Sequence, residues 1–334
     1  MSTETTTLTT GDGSAPTDSG HGGRARMTQL FARYSMVGVL VVLVLAATVL
    51  YPGFLEPANL RDILVQNAAV GLIAVGMTFV IISGGFDLSV GATYALGSTV
   101  FAGTMISTGS VTLAAVAALS AGAAAGFVNG VLVARLDVNP FVATLGTSSV
   151  ISGLAYIYSK SAPFIVDDPN FQILAASRVA GIPTPIIILV LTFLIGGFVL
   201  ARTPYGRNVY AIGGNHDAAW LSGLRVPSLT IGVYVMTGIF AALAGMIDAS
   251  RLGVGQADVG ATVALDAIAV VVVGGTSLRG GEGAVWRSAV GLLILATLTN
   301  VFISLNVSQN WQLIAKGVIV VTAVALDSLV RRRN

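Results

Sequence analysis

Few residues of this sequence combine the types and spacing that chemistry requires. The 334 residues contain no cysteine, which excludes disulfides, iron–sulfur sites and thiol nucleophiles. The two histidines, His21 and His216, lie far apart, and neither stands in a recognisable metal-ligand spacing. No nucleophile–base pair or metal constellation is evident, so the sequence does not predict an enzyme.

Phosphate binding of the P-loop type is also excluded. That motif needs a glycine-rich turn followed by a lysine and a Ser or Thr, because backbone amides and the lysine hold the phosphates. The sequence has two lysines, Lys160 and Lys316, and neither lies in this pattern. We therefore expect no cofactor on this chain; in an ATP-driven process, ATP and Mg²⁺ would be bound by a partner ATPase.

Carboxylates that could couple transport to an ion are few. Asp87, Asp248 and Asp266 all lie near the ends of apolar segments, where an aspartate more often caps a helix or lies at the membrane interface. Lys316 lies about one turn into the last apolar segment, from which it could snorkel outward. Ion-coupled secondary transport remains an alternative without a run of buried acids to favour it.

Two short apolar segments, 68–83 and 262–275, end in paired glycines. The pieces ISGGFDLSVGA and VVGGTSLRGGEGA share the pair and a leucine three residues after it. Short, glycine-interrupted segments at matching places in two halves are the best sequence pointer to a transporter's substrate site. The alternative is two tight turns in which glycine supplies a positive φ. The candidate path residues are Ser83, Gly84, Gly85, Asp87, Gly274, Gly275 and Thr276.

The elements that carry these residues are predicted to be membrane-spanning helices. Hydrophobic residues make up 54% of the chain and charged residues 10%, where a soluble domain carries about 25% charged residues. So few charges cannot cover a water-facing surface, so lipid surrounds most of the chain. Apolar runs of spanning length are 34–55, 68–83, 88–106, 111–134, 140–158, 185–202, 228–249, 262–275, 284–303 and 311–329.

The distribution of basic residues predicts the orientation. An even number of spans places both termini on one side, and with that side cytoplasmic the inside segments carry twelve arginines against four basic residues outside. We therefore expect an all-α polytopic membrane protein with about ten transmembrane helices and both termini cytoplasmic. Residues 1–33 are predicted to be a disordered cytoplasmic tail, 34–330 the membrane domain and 331–334 a basic cytoplasmic end.

Several small and polar residues inside the apolar segments predict helix contacts. Gly122, Gly126 and Gly130 recur every four residues along one helix face, which predicts close packing against another helix of this chain or of a second copy. Asn129 and Asn300 are expected to hydrogen-bond between helices, and lining a solute path is the alternative.

The longest inside loop, 203–227, is predicted to hold a short exposed helix over Asn215–Leu224. Asn215 is a suitable N-cap and Gly223 a suitable stop. Such a helix could dock into a groove on a partner, or lie on the membrane surface and bind nothing. The candidate coupling residues are Asn215, Asp217, Ala218, Ala219 and Gly223.

Four stretches resemble a known family. They are GMTFVIISGGFDLSVGA, GFVNGVLVARLDVNPFVATLG, GRNVYAIGGNHDAAWLSGL and LDAIAVVVVGGTSLRGGEGAVW, and they resemble the ribose/xylose/arabinose-type permeases of bacterial ABC importers. The resemblance runs from about residue 35 to 330. It implies a type II ABC-importer-like permease domain over 34–330, in which Asp217-Ala218-Ala219-x-x-x-Gly223 matches the family's EAA-type coupling loop with Asp217 in place of glutamate.

The same resemblance implies the partners and the function. We expect a multi-pass protein of the bacterial inner membrane, paired with a second copy or a homologous permease. An ATPase subunit, usually with two fused nucleotide-binding domains, and an extracytoplasmic solute-binding protein would complete the transporter; nucleic acid is not expected. The expected solute is a monosaccharide, a pentose or hexose. A nucleoside or a quorum signal is the alternative solute. An ion-coupled transporter or a channel is the alternative class of protein.

Overall fold

The chain is built almost entirely of helices. A computed structural model describes residues 21–332, with side-chain surroundings for 36–322 and Ala325. The helices are α1 (His21–Leu50), α2 (Pro57–Gln66), α3 (Ala68–Ile82), α4 (Val90–Thr108), α5 (Val111–Ala134), α6 (Pro140–Ser159), α7 (Pro169–Ala176), α8 (Thr184–Arg202), α9 (Pro204–Gly214), α10 (His216–Leu221), α11 (Val226–Leu252), α12 (Val263–Val273), α13 (Val285–Ser304) and α14 (Gln309–Arg332).

Four two-residue strands lie in the connections. Strand β1 (Phe164–Ile165) pairs antiparallel with β4 (Val254–Gly255), and β2 (Arg178–Val179) pairs antiparallel with β3 (Ile182–Pro183). The first pair joins the α6–α7 connection to the α11–α12 connection, so two distant parts of the chain are held together at one end of the helices.

Within the described residues, five helices have the length and apolar composition to cross a membrane: α5, α6, α8, α11 and α13. Helices α2 and α3 provide a sixth crossing if the pair, bent by 52°, counts as one span. Residues 36–50 of α1 and helix α12 are apolar but shorter. The protein therefore has a multi-pass helical membrane fold, and each of the ten predicted segments overlaps one helix.

Local sequence explains where several helices begin. Asn139, Asp168 and Thr203 each accept a hydrogen bond from an N–H of the following turn through a side-chain oxygen, and each precedes a proline at the first helical position. The predicted tail of 1–33 lies outside the described residues up to residue 20. From His21 onward its backbone is helical, because Arg, Ala, Met, Gln and Leu favour extension of α1.

Helix α11 is the centre of the fold and packs against α3, α4 and α5. Helix α3 is apolar on all sides and buried along nearly its whole length, as expected for a helix enclosed by others. The largest cluster of buried side chains includes Leu72 and Phe79 of α3, Tyr234 of α11 and Val270 of α12.

The glycine stripe of α5 faces α11 of the same chain. A Cβ at Gly122 or Gly126 would collide with the carbonyl oxygen of Gly238 or Tyr234, respectively. A Cβ at Gly130 would lie 2.7 Å from the Cα of Ile231. The sequence predicted that the stripe packs against a helix of this chain or of a second copy, and it packs against α11 of this chain. The backbones of α5 and α11 come so close there that no side chain larger than glycine fits.

This packing predicts opposite effects for two glycine-to-alanine changes. Gly126→Ala should destabilise the protein by about 1–3 kcal/mol, because the new methyl group has no room against α11. Gly146→Ala is the control, since Gly146 is exposed on α6 with nothing within 4 Å of its Cβ position. It should stabilise the helix by about 0.5–1 kcal/mol. Thermal unfolding midpoints in detergent should move in opposite directions; equal midpoints would contradict the packing.

Candidate functional site

The first glycine turn ends helix α3. Gly84 adopts a φ of 84°, its N–H donates to the Ile81 carbonyl at 3.0 Å, and the Gly85 N–H donates to the Val80 carbonyl at 2.9 Å. This pair of bonds is the Schellman arrangement that satisfies the last carbonyls of a helix. Only a glycine takes this backbone conformation without strain, so Gly84 is required by the turn itself.

The second glycine turn ends helix α12 in the same way. Gly275 has a φ of 82°, with its N–H bonded to the Val272 carbonyl at 2.8 Å and the Thr276 N–H bonded to the Val271 carbonyl at 3.2 Å. The structural counterpart of Gly84 is thus the second glycine of the later pair, one position away from the match read by sequence. Both places therefore have the tight turn with a positive φ at glycine that the sequence offers as the alternative to a substrate site.

Arg287 completes the second turn. Its Nη1 donates to the Gly275 carbonyl at 3.2 Å, and a Cβ at Gly274 would lie 2.5 Å from the Arg287 carbonyl oxygen. Thr276 is 3% exposed, and its hydroxyl has no hydrogen-bond partner among the described residues. The start of α13 is therefore fixed against the end of α12 by direct backbone approach.

The first turn and the 276–284 segment, which follows the second turn, meet the 203–227 loop at a cluster of glycines, Gly84, Gly213, Gly280 and Gly281, here called the glycine junction. The Gly281 N–H donates to the Ile82 carbonyl at 2.8 Å, which links the segment after α12 to the end of α3. A Cβ at Gly213 would collide with the same Ile82 carbonyl, and a Cβ at Gly280 would lie 3.0 Å from the Gly84 Cα. The ends of α3 and α9 and the 276–284 segment therefore touch through backbone alone.

Tyr210 provides a second link to the 276–284 segment. Its hydroxyl donates to the Gly283 carbonyl at 2.7 Å. Burial raises the pKa of the Tyr210 phenol, so it stays protonated and remains a donor at neutral pH. Helix α9 is thus held to the segment between α12 and α13 by both a hydrogen bond and the glycine junction.

Helix α10 occupies the predicted position in the same loop. The Asn215 side-chain oxygen accepts the Ala218 N–H at 2.9 Å, and Gly223 ends the helix with a φ of 85°. Ala219 is 4% exposed and packs inward with Ile212 and Val226.

The outward face of α10 is formed by other residues. Asp217 and Ala218 are exposed, as are Trp220 and Leu221, whose exposed fractions are 64% and 76%. Trp220 and Leu221 thus give this six-residue helix an exposed apolar face.

A cavity of about 640 Å³ separates the first glycine turn from α10. Ser83, Gly84 and Gly85 form one side, and Asp217 and Trp220 lie on the other. Three predicted path residues of the first turn and one predicted coupling residue, Asp217, therefore line the same space.

Asp87 lies away from that cavity, in a buried network at the start of α4. Its Oδ1 accepts the Ser89 N–H at 2.9 Å and the Ser89 hydroxyl at 2.7 Å. Asn129 of α5 donates to the Ser89 hydroxyl at 2.6 Å and accepts from Thr147 of α6 at 2.5 Å. The network thus links the start of α4 to α5 and α6 through Asn129, which is the interhelical partner that its position predicts.

Other polar residues inside the apolar segments also pair between helices. Asn300 of α13 exchanges hydrogen bonds with Asn59 of α2, at 2.9 and 3.3 Å. Within the described part of the chain, no group of three or more His, Asp or Glu side chains is placed to hold a metal ion.

Comparison with known proteins agrees with this architecture. Residues 59–324 match the family described as branched-chain amino acid transport system / permease component. The chain belongs to this permease family. Ribose import permease protein RbsC of Bacillus subtilis (strain 168) is 44% identical over 290 residues, covering 86% of this chain and 90% of the relative.

Further relatives cover a similar share of the permease. RbsC of Escherichia coli (strain K12) is 39% identical over 312 residues, 92% of this chain and 97% of the relative. L-arabinose ABC transporter permease protein AraH of Azospirillum brasilense is 36% identical over 311 residues, 93% of this chain and 91% of the relative. No solved structure matches the chain.

The glycine junction was not anticipated from sequence. Its signal is nevertheless present, because Gly213-Gly214 and Gly280-Gly281 are further glycine pairs and both lie in predicted inside segments. Helix α9 also had a signal, in Thr203 followed by Pro204. The roles of Tyr210 and Arg287 had no sequence signal, because each side chain donates to a carbonyl in another segment of the chain.

Neighbouring glycines of the junction allow a matched test. Gly213→Ala forces the ends of α3 and α9 apart, at about 1–3 kcal/mol, and should lower solute uptake about tenfold or more. Gly214→Ala is the control, because nothing lies within 4 Å of its Cβ position. Uptake by cells carrying each variant, normalised to membrane-inserted protein, measures the difference. Equal uptake by the two variants would remove any role for the junction.

Proposed function

We propose that the chain is the membrane-spanning permease subunit of an ATP-binding-cassette importer that translocates a monosaccharide, a pentose or hexose. The observation that carries the proposal is the similarity to permeases named for ribose and arabinose, which extends over 86–93% of this chain. The permease is a non-catalytic subunit. Translocation of another small polar solute, such as a nucleoside or a quorum signal, is the alternative within the same architecture.

The proposed topology has ten spans with both termini cytoplasmic. It is supported by the overlap of each predicted segment with a helix and by the excess of twelve arginines over four basic residues between the two sides. In this orientation the glycine junction, α9 and α10 face the cytoplasm, while the β1–β4 pair and α7 face outward. The protein would lie in the bacterial inner membrane.

The proposed partners follow from what the chain lacks and what it exposes. ATP and Mg²⁺ would be bound by an ATPase subunit, because this sequence has no P-loop. Trp220 and Leu221 of α10 offer that subunit an apolar contact. A solute-binding protein would deliver the sugar from outside, and a second copy or homologous permease would complete the membrane path.

The geometry suggests how ATPase movement would reach the spans. A displacement of α10 passes to α9 through Asn215, which caps the end of α9 and the start of α10. The glycine junction and the Tyr210–Gly283 hydrogen bond then transmit it to the ends of α3 and α12. Backbone contacts carry such a displacement with little loss, because no flexible side chain lies between the parts.

Ion coupling is less well supported by the structure. Asp248 pairs with Arg251 at 2.9 Å, and Asp266 pairs with Lys316 at 3.2 Å. Two of the three candidate carboxylates are thus compensated by a cation of the chain, and the third, Asp87, is engaged by two hydrogen bonds from Ser89.

The function is tested in liposomes that contain the permease with its cognate ATPase and binding protein. We expect ATP-dependent uptake of at least one labelled pentose or hexose, and stimulation of ATP hydrolysis by the loaded binding protein. Nucleosides and amino acids serve as the comparison solutes. Uptake driven by an ion gradient without ATP would reject the importer assignment, and ATP-dependent uptake restricted to a nucleoside would reject the sugar.

The role of α10 is tested by two glycines of like geometry. Gly223→Trp strains a backbone with φ of 85° and redirects α10, so stimulated ATP hydrolysis and uptake should fall together. Gly109→Trp is the control, because Gly109 also has a positive φ and open surroundings but connects α4 to α5. Asp217→Ala should reduce coupling less than Gly223→Trp does. Full stimulation in Gly223→Trp would show that α10 is not the coupling element.

A further inference from the structure

Helix α12 crosses only part of a membrane. Its 11 residues span about 16 Å, whereas the hydrocarbon core of a bilayer is about 30 Å thick. The chain reaches α12 through residues 256–262, which belong to no helix or strand. In the proposed topology this crossing is therefore half helix and half irregular backbone.

Residues 256–262 run alongside α4. The Gln256 N–H donates to the Ser98 hydroxyl at 3.3 Å, and a Cβ at Gly260 would collide with the Gly91 carbonyl oxygen. Ser98 and Gly91 are separated by two turns of α4, so the segment descends about 10 Å along that helix. Irregular backbone thus lies beside α4, which spans the membrane in the proposed topology.

Most backbone N–H groups of this segment are not satisfied by the described part of the protein. Among the described residues, the N–H groups of residues 257–262 have no hydrogen-bond partner, whereas the first and last N–H groups next to them, of Gln256 and Val263, are bonded. Such groups cannot face hydrocarbon without a large loss of free energy. Irregular backbone at membrane depth is found where it is buried in protein or lines a water-filled cavity, and this segment is not buried.

The side chains point to the same conclusion. Asp258, Ala261 and Thr262 are exposed, and Gln256 is half-buried. In the part of the chain that the structure describes, Asp258 has neither an ion-pair nor a hydrogen-bond partner, unlike the paired acids Asp248 and Asp266 on either side of it. An exposed, uncompensated carboxylate needs water or a polar ligand around it.

We propose that residues 256–262 form one wall of the aqueous solute path, and that Asp258 and Thr262 hydrogen-bond to the hydroxyl groups of the passing solute. The solute class is a neutral polyhydroxylated molecule: the carboxylate accepts from hydroxyls, and the threonine both donates and accepts. The identity of the solute rests on the proposed function, while the aqueous wall rests on the geometry alone.

The test uses the absence of cysteine from the natural sequence. Ala261→Cys is compared with Leu194→Cys in liposomes that contain the assembled transporter, using a charged methanethiosulfonate reagent. Leu194 is 63% exposed on the spanning helix α8, and Ala261 is also exposed, but Leu194 faces lipid in the proposed topology. A thiol in water ionises and reacts, so Ala261→Cys should react about tenfold faster or more.

Two further readouts separate the inference from the proposed function. Uptake by Ala261→Cys is measured before and after modification and should be lost after it. Turnover with loaded binding protein should slow the reaction of the thiol with the reagent. If Ala261→Cys reacts no faster than Leu194→Cys while sugar uptake is normal, the wall is overturned and the function stands. If it reacts fast and modification blocks uptake of a solute other than a sugar, the wall stands and the sugar assignment fails.

Asp258 is tested separately by its conservative variant. Asp258→Asn keeps the size and one acceptor oxygen, and Asp258→Ala removes both. We expect the maximal uptake rate to fall in the order wild type, Asn, Ala. The solute affinity of the isolated binding protein is the reference, because the substitutions do not change that protein. Equal maximal rates in all three would remove Asp258 from the path.

Discussion

Every backbone N–H and C=O placed in hydrocarbon must find a partner inside the protein, and most of this structure follows from that constraint. Helices satisfy the interior groups, so nearly all of the described chain is helical. At the ends of α3 and α12, where four carbonyls would otherwise remain unpaired, Gly84 and Gly275 turn the chain back onto the last turn. Those turns then determine which parts of the chain meet.

Close contact between backbones is the second consequence. Lipid tails are as apolar as leucine, so helices gain little by burying large apolar side chains against one another and gain more by close packing. Helices α5 and α11 approach at Gly126 so closely that a methyl group has no space. The same close backbone contact recurs at Gly213, where the ends of α3 and α9 meet the 276–284 segment. Packing within the membrane and connection between the loops thus use one residue type for one physical reason.

Much of this arrangement is readable from the sequence where the signal is local. Long apolar runs indicate the ten segments, and Asn215 and Gly223 indicate the ends of α10 through their capping preferences. The inward direction of Ala219 was not predictable, because six residues are too few to establish a helical face. Helices α2, α7 and α9 lack long apolar runs, and only their capping residues and prolines reveal them. The junction of Gly84, Gly213 and Gly280 depends on contacts far apart in sequence, which no local pattern encodes.

The pairing of β1 with β4 acquires a mechanical meaning when it is set beside the end of α12. One end of the α11–α12 connection is clamped by that ladder, and the far end of α12 is clamped against Arg287. Between the two clamps, residues 257–262 donate no backbone hydrogen bond to the described protein. The carbonyls of Gly260 and Thr262 accept the N–H groups of Val263 and Asp266, so the segment's backbone bonds are those that begin α12. Movement of α12 relative to the β1–β4 pair would therefore be taken up in residues 257–262, because their N–H groups hold no bond that such a movement must break.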